Sequence, residues 1–234
     1  MTKRLESQLN KFINNGEAAR FTLGTLVLML CCGLLMIIST FTQLNFTHPI
    51  IPLDIFSNWD KYFPDTGVNW HDFLKHYKYI PQIPAIFFIL SLLDRKYSML
   101  TVTGYIILGL IGYPIFALGG GWRYIFEYGF YYILGYIPAL FFAGSIIKGN
   151  YSFWNILKAA FVGVLVVHLI GSLGMIFIAT LKHESSMVIL GWILTMSGMK
   201  MVYDMFFSVI AIYLGQIAKR ILWIVMSGGV NKMG

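Results

Sequence analysis

The run FTLGTLVLMLCCGLLMIISTFTQL, residues 21–44, decides the fold class of this chain. It contains no charged side chain. A helix rises about 1.5 Å per residue, so a helix of this length exceeds the roughly 30 Å hydrocarbon core of a bilayer. The run therefore predicts a membrane-spanning helix that crosses with some tilt, and we expect it to be a retained first span rather than a cleaved signal peptide.

Five more apolar runs follow along the chain, and together they predict six crossings. The predicted crossings are residues 21–44, 80–93, 99–117, 129–147, 156–181 and 199–217. Pro81 and Pro84 stand at the start of the second run, where a missing amide donor does least harm, and Asp94–Lys96 end it. We predict an all-α integral membrane protein with one membrane domain over residues 21–220.

Composition supports the same class. Only 12% of the residues are charged, 58% are hydrophobic and the mean hydropathy is +0.72, whereas soluble domains carry about 25% charged residues. The net charge of +7 comes from Lys and Arg spread over connectors and termini, which does not make a nucleic-acid-binding stripe. Cys31 and Cys32 are adjacent in an apolar run, so we interpret them as packing residues and expect no metal or cofactor.

An additional apolar segment, residues 187–196, is too short to span and is predicted to be an interfacial or re-entrant helix on the outer side. Six crossings then place both termini in the cytoplasm, together with most Lys and Arg side chains, as the positive-inside rule requires. Residues 1–20 form either a surface amphipathic helix or a partly ordered tail, and residues 221–234 form a cytoplasmic tail. The polar insertion, residues 45–78, is external and serves either as a lid or as a passive linker.

The predicted topology brings three stretches to the outer side: the loop GGGWRYIFEYGFYY (residues 119–132), the insertion and GMKMVYD (residues 198–204). Aromatic walls from Trp122, Tyr124 and Tyr132 beside the cation of Arg123 suit a small amphipathic anion. An aromatic belt at the membrane interface explains the same aromatic residues without a ligand. Gly120, in the middle of three glycines, either brings backbone amides to a ligand or only permits a sharp turn.

Lys200 and Asp204 lie four residues apart and share a helix face. They either neutralise one another near the outer boundary or contact a ligand. In the second interpretation the Asp204 carboxylate, which only accepts hydrogen bonds, meets ligand N–H groups, and Lys200 or Arg123 meets a ligand carboxylate.

His168 and Ser172 also lie four residues apart, which raises the alternative of an intramembrane hydrolase. The sequence shows no orienting acid or oxyanion motif beside them, so we favour a hydrogen bond between packed helices and assign no catalytic residue. The chain has no Walker A motif, so the energy for any transport must come from gradients or partners.

Residues 80–144 resemble the BioY family, the biotin-specific substrate-binding components of energy-coupling factor (ECF) transporters. The residues that carry the resemblance are IPQIPAIFFILSLLDRKYSMLTVTGYIILGLIGYPIFALGGG and WRYIFEYGFYYILGYIPALFFAG. In the last span the family has Pro-Gly-Asp followed three residues later by Lys. Asp204 falls on that Asp, but Val202 and Tyr203 replace Pro-Gly and Phe207 replaces the Lys. Lys200, one turn before Asp204, is then the nearest substitute for the missing charge.

The resemblance implies a six-helix bundle in a prokaryotic cell membrane that binds biotin from the outside. It implies a transmembrane coupling subunit and two cytoplasmic ATPases as partners, although some relatives act without them. Biotin fits the predicted residues: its ureido N–H groups suit Asp204, its thiophane ring suits aromatic walls, and its carboxylate suits Arg123 or Lys200. Because of Phe207, a binding component for another vitamin stays open, as does the intramembrane enzyme.

Overall fold

The computed structural model describes residues 22–49, 58–64, 67–68, 70–148 and 150–230. The chain divides into two compact units, one comprising Met1–Phe41 and Pro81–Gly234 and the other Thr42–Ile80. The predicted N-terminal segment, residues 1–20, lies outside the described residues, so its two interpretations stay open.

The first unit is built from helices. In chain order they are α1 (Leu23–Phe41), α2 (Gln82–Ile111), α3 (Phe130–Leu134), α4 (Tyr136–Ile146), α5 (Phe153–Leu181), α6 (Ser186–Ser197) and α7 (Met199–Val230). Within the described residues, three stretches are long and apolar enough to cross a membrane, namely Leu23–Phe41, Phe153–Leu181 and Ser186–Val225. The helical membrane fold predicted from hydropathy is confirmed, while the side on which the termini lie stays a prediction.

Helix α2 contains the second and third predicted crossings, and it breaks between them. Asp94 has φ 64° and ψ 169°, which divides the helix into residues 82–93 and 95–111 at the charged residues expected to end the second run. This is backbone geometry that non-glycine residues adopt only under strain. The second half ends at Ile111, earlier than residue 117, because Gly112 leaves the helix with φ 128°.

Helix α5 carries glycines at positions where aromatic rings of other helices pack closely against it. A Cβ atom on Gly163 would lie 2.4 Å from the Phe87 ring, and one on Gly174 would lie 2.0 Å from Tyr131. Small residues allow membrane helices to approach closely where no hydrophobic force drives them together. The α2 and α3 rings therefore pack directly onto the α5 backbone.

Helices α6 and α7 are separate, as predicted, with Gly198 between them at φ −65° and ψ −114°. None of the twelve α6 residues, all of them described, is buried. Helix α7 is longer than predicted and continues to Val230, through residues 221–230, where a tail was expected. Lys219 and Arg220 suggested an end, but the apolar ILWIVM that follows has no glycine or proline to stop a helix.

The second unit contains a hairpin that the sequence analysis did not predict. Strands β1 (Leu44–Pro49) and β2 (Leu74–Tyr79) are antiparallel, with Leu44 opposite Tyr79. A helical turn, Trp59–Tyr62, and a 3₁₀ turn, Trp70–Phe73, lie between the strands. The Phe73 ring lies 5.7 Å from Tyr62 and 5.8 Å from Phe63, so aromatic contacts hold these turns together. Both interpretations of the insertion, a lid and a passive linker, stay open.

Candidate substrate-binding site

A fully buried carboxylate is the centre of the candidate site. Asp204, near the start of α7, has no solvent-exposed side-chain surface. Its Oδ2 atom lies 2.5 Å from Lys200 Nζ and 3.1 Å from His168 Nε2. A buried ionised carboxylate costs several kcal/mol unless cations and donors compensate it. Lys200, one turn earlier, and His168 of α5 supply that compensation.

His168 contacts one hydroxyl group, which in turn contacts two others. His168 Nδ1 lies 3.0 Å from Ser197 Oγ, at the end of α6. Ser197 Oγ lies 2.7 Å from Tyr132 Oη and 3.0 Å from Ser172 Oγ, and the latter two oxygens are 3.1 Å apart. We call these side chains the Asp204 network. Its members are Tyr132, His168, Ser172, Ser197, Lys200 and Asp204.

Local sequence explains why these side chains converge. His168 and Ser172 share one face of α5 because they are four residues apart. Gly171, between them, leaves room for the Tyr132 ring, since a Cβ there would lie 2.3 Å from that ring. Tyr132 in turn packs edge-on against His168, with ring centroids 5.8 Å apart. The bend at Gly198 brings Ser197 and the first turn of α7 to the same place.

A second set of polar side chains joins α4, α2 and α1. Tyr136 Oη donates to Gln82 Oε1 at 2.9 Å, and Gln82 Nε2 donates to Thr40 Oγ1 at 2.7 Å. Thr40 Oγ1 also lies 3.0 Å from Tyr105 Oη. We call these four residues the Gln82 network. Each of them carries an uncharged polar group, and none of them was predicted as a site residue.

Three of the predicted site residues, Tyr132, Lys200 and Asp204, belong to the Asp204 network. The other four lie in the loop before α3. Trp122 is 63% exposed, and the Arg123 guanidinium lies 5.7 Å from its ring. Their role as ligand contacts stays a prediction.

Tyr124 is buried, with its ring 4.5 Å from Phe116, and burial raises the pKa of its phenol. A Cβ on Gly120 would lie 2.1 Å from the Tyr113 carbonyl oxygen. The requirement for glycine at position 120 is therefore explained by backbone packing. Whether Tyr124 and Gly120 also contact a ligand is untested.

The contacts of His168 differ most from those expected from sequence. We expected a packing role for His168 and Ser172, with no orienting acid beside them. The structure places the Asp204 carboxylate against His168, and the hydroxyl on Nδ1 belongs to Ser197. Spacing on α5 could not reveal this, because both partners come from a segment about 30 residues later in the chain. Among the described residues, no group of three His, Cys, Asp or Glu side chains could hold a metal ion.

Comparisons with known proteins identify the family of this chain. The model of the BioY family matches residues 79–232. No curated protein matches the chain. Among solved structures, the chain is similar to the crystal structure at 2.1 Å of the S-component for biotin from an ECF-type ABC transporter, with a TM-score of 0.58 and 16% sequence identity over 94% of this chain and 95% of that chain. At that identity the likeness shows a shared fold. The family model, which covers more than half of the chain and includes Asp204, shows that the chain belongs to the BioY family.

Proposed function

We propose that this protein binds biotin from outside the cell and delivers it for uptake, as the substrate-binding component of an ECF-type transporter. The single observation that carries the proposal is the buried Asp204 carboxylate, held by Lys200 and His168 in a membrane bundle. Ionisable groups inside membrane proteins are rare and usually functional. Membership of the BioY family and the biotin-binding protein of similar fold support biotin as the ligand.

The chemistry of the site suits the two polar ends of biotin. An ionised carboxylate only accepts hydrogen bonds, so Asp204 suits the two N–H groups of the ureido ring. Lys200, with 18% of its side chain exposed, is the cation nearest to Asp204 and suits the ligand carboxylate. Arg123 is the second candidate for that contact. Trp122, Tyr124, Tyr132 and the backbone at Gly120 complete the proposed binding residues.

Position 207 carries Phe, so a cation that meets the ligand carboxylate must come from another residue. It stacks on Tyr203 with ring centroids 6.5 Å apart, so an aromatic pair occupies the position where the resemblance led us to expect Lys. Lys200, one turn before Asp204 on α7, contacts the Asp204 carboxylate instead. A binding component that recognises another vitamin through this altered face is the alternative ligand assignment.

We further propose that both termini are cytoplasmic and that the protein resides in a prokaryotic cell membrane. The excess of Lys and Arg in the predicted inner connectors supports this orientation. A transmembrane coupling subunit and two cytoplasmic ATPases are the proposed partners, with membrane lipid around the bundle and no nucleic acid. Uptake measured with and without those subunits distinguishes a coupled component from one that acts alone.

Binding of tritiated biotin to the purified protein tests the ligand assignment. We expect saturable binding that Asp204→Ala abolishes, while Ser145→Ala, which removes a hydroxyl bonded to Arg95, leaves it intact. Unchanged binding in Asp204→Ala would reject the site. A thermal-shift panel of vitamins in which another compound stabilises the protein and biotin does not would reject biotin.

The contacts of His168 with Ser197 and Asp204 also favour a second candidate, an intramembrane hydrolase. These are the three residue types of a hydrolase triad, and the two His168 contacts measure 3.0 and 3.1 Å. Against it, Asp204 Oδ2 is shared with Lys200 and Ser197 lies in a cluster of three hydroxyls. A fluorophosphonate probe decides: we expect no label on Ser197, and labelling lost in Ser197→Ala would support the enzyme.

A further inference from the structure

Ser197 is the single α6 side chain that the described contacts place in the Asp204 network. No residue of the helix it ends is buried, yet Ser197 Oγ contacts one atom on α3 and two on α5. Those atoms are Tyr132 Oη, His168 Nδ1 and Ser172 Oγ. A helix with no buried residue thus places the hydroxyl of its last residue in the proposed binding site.

The direction of each hydrogen bond follows from counting protons, starting at Asp204. An ionised carboxylate has no proton to give, so His168 Nε2 must carry the hydrogen of the 3.1 Å contact with Oδ2. The Asp204 charge is already matched by Lys200. A second buried cation without a counter-charge is costly, so His168 is neutral and its Nδ1 atom is an acceptor.

Ser197 must then donate to His168. A serine hydroxyl has one proton and two lone pairs, and Ser197 Oγ has three partners in this network. With its proton directed at His168 Nδ1, its lone pairs accept from Tyr132 and Ser172, each of which has one hydroxyl proton. This assignment gives each of the three Ser197 contacts one proton. Among the three hydroxyls, Ser197 is the one that contacts His168 Nδ1, so the donor to Nδ1 must be Ser197.

We propose that Ser197 is a positioning residue that fixes the His168 tautomer. Its hydroxyl proton holds His168 in the Nε2–H form, so that the imidazole donates to Asp204 and orients the carboxylate. Ser197 acts on the ligand site through His168 and not by touching the ligand. The consequence for biotin affinity rests on the proposed function, but the tautomer does not.

The tautomer is measured by magnetic resonance on protein labelled with [¹³C,¹⁵N]histidine in lipid bilayers. Nitrogen–carbon correlations distinguish a protonated Nδ1 from a protonated Nε2. The chain has five histidines, and His168→Gln identifies the signal of His168. We expect the Nε2–H form in the unmodified protein, and an Nδ1–H or cationic ring would overturn the proposal without any variant.

Two serine variants then separate positioning from simple packing. Ser197→Ala removes the donor to Nδ1, and we expect a mixture of His168 tautomers. Ser172→Ala removes a hydroxyl of the same cluster that donates to Ser197 and not to His168, so it leaves the tautomer unchanged. Ser197→Thr restores the hydroxyl and the Nε2–H form. An unchanged tautomer in Ser197→Ala, or the same shift in Ser172→Ala, contradicts the assignment.

Biotin binding is measured on the same samples. Loss of one hydrogen bond that orients the site weakens binding by about 2- to 10-fold in Ser197→Ala, with recovery in Ser197→Thr. Equal affinity for biotin in Ser197→Ala, despite a shifted tautomer, overturns the positioning role. If the tautomers behave as expected but no variant, nor the unmodified protein, binds biotin, the proposed function fails while the tautomer assignment stands.

Discussion

Lys219 Nζ lies 2.6 Å from Asp94 Oδ1, so an ion pair connects α7 to the break in α2. Asp94 holds φ 64° and ψ 169°, a region in which a non-glycine residue costs about 1–3 kcal/mol. Glycine would adopt it without strain. The carboxylate that pairs with Lys219 is the property of Asp94 that glycine lacks.

Replacements at position 94 separate backbone strain from the ion pair. Asp94→Ala keeps the strain and loses the pair, whereas Asp94→Gly loses both. We expect Asp94→Gly to be more stable than Asp94→Ala by about 1 kcal/mol in the free energy of unfolding, because only glycine relieves the backbone. Thermal unfolding in one detergent measures this. Equal stabilities would mean that the backbone relaxes in the Ala variant and stores no strain.

Removal of Lys200 tests whether it forms a structural pair with Asp204. Lys200→Met leaves the buried carboxylate with His168, and we expect a loss of about 3–5 kcal/mol of stability. Lys200→Met with Asp204→Asn removes both charges and should recover most of it. Biotin should bind to neither variant. Recovered binding in the double variant would show that the pair serves folding alone.

Gly171→Ala tests how Tyr132 is positioned. The added Cβ would lie 2.3 Å from the Tyr132 ring, so the ring must move and leave its hydroxyl partners. Overpacking of this kind costs about 1–3 kcal/mol, and we expect weaker biotin binding as well. Gly104→Ala is the matched control in a helix, since nothing lies within 4 Å of a Cβ there. Similar effects in both variants would indicate a general intolerance of alanine.

Tyr136→Phe tests the Gln82 network. It removes the donor to Gln82 Oε1 and leaves a partly buried acceptor unpaired, so we expect a loss of about 1 kcal/mol of stability. Tyr113→Phe is the control, because it removes the hydroxyl group of a tyrosine that is 59% exposed. A Tyr136→Phe protein with unchanged unfolding temperature would mean that another group satisfies Gln82.

The apolar helices could be predicted from sequence because a bilayer imposes a minimum apolar length on each helix that spans it. The same constraint separated α6 from α7, since residues 187–196 are too short to cross. The hairpin could not be predicted in this way. Its strands are paired by partners about 30 residues away, and neither strand carries a long apolar run.

The site was only partly predictable. Lys200 and Asp204 were found because i, i+4 spacing acts within one helix. His168 also lies on a helix, but its contacts depend on which residues α6 and α7 present to it, and no local pattern encodes that. Gln82 lies between Pro81 and Pro84 at the expected start of a helix, where a polar side chain is common and does not indicate a site. Its partners on α1 and α4 became visible only in the folded bundle.

Helix α7 has a mechanical consequence. Lys219 follows Asp204 by 15 residues along one uninterrupted helix, a distance of about 22 Å at 1.5 Å per residue. An α-helix resists stretching and compression, so this segment of α7 acts as a lever with the carboxylate of the candidate site at one end and the Asp94 ion pair at the other. A ligand that tilts α7 by even a few degrees displaces Lys219 relative to the strained residue it holds.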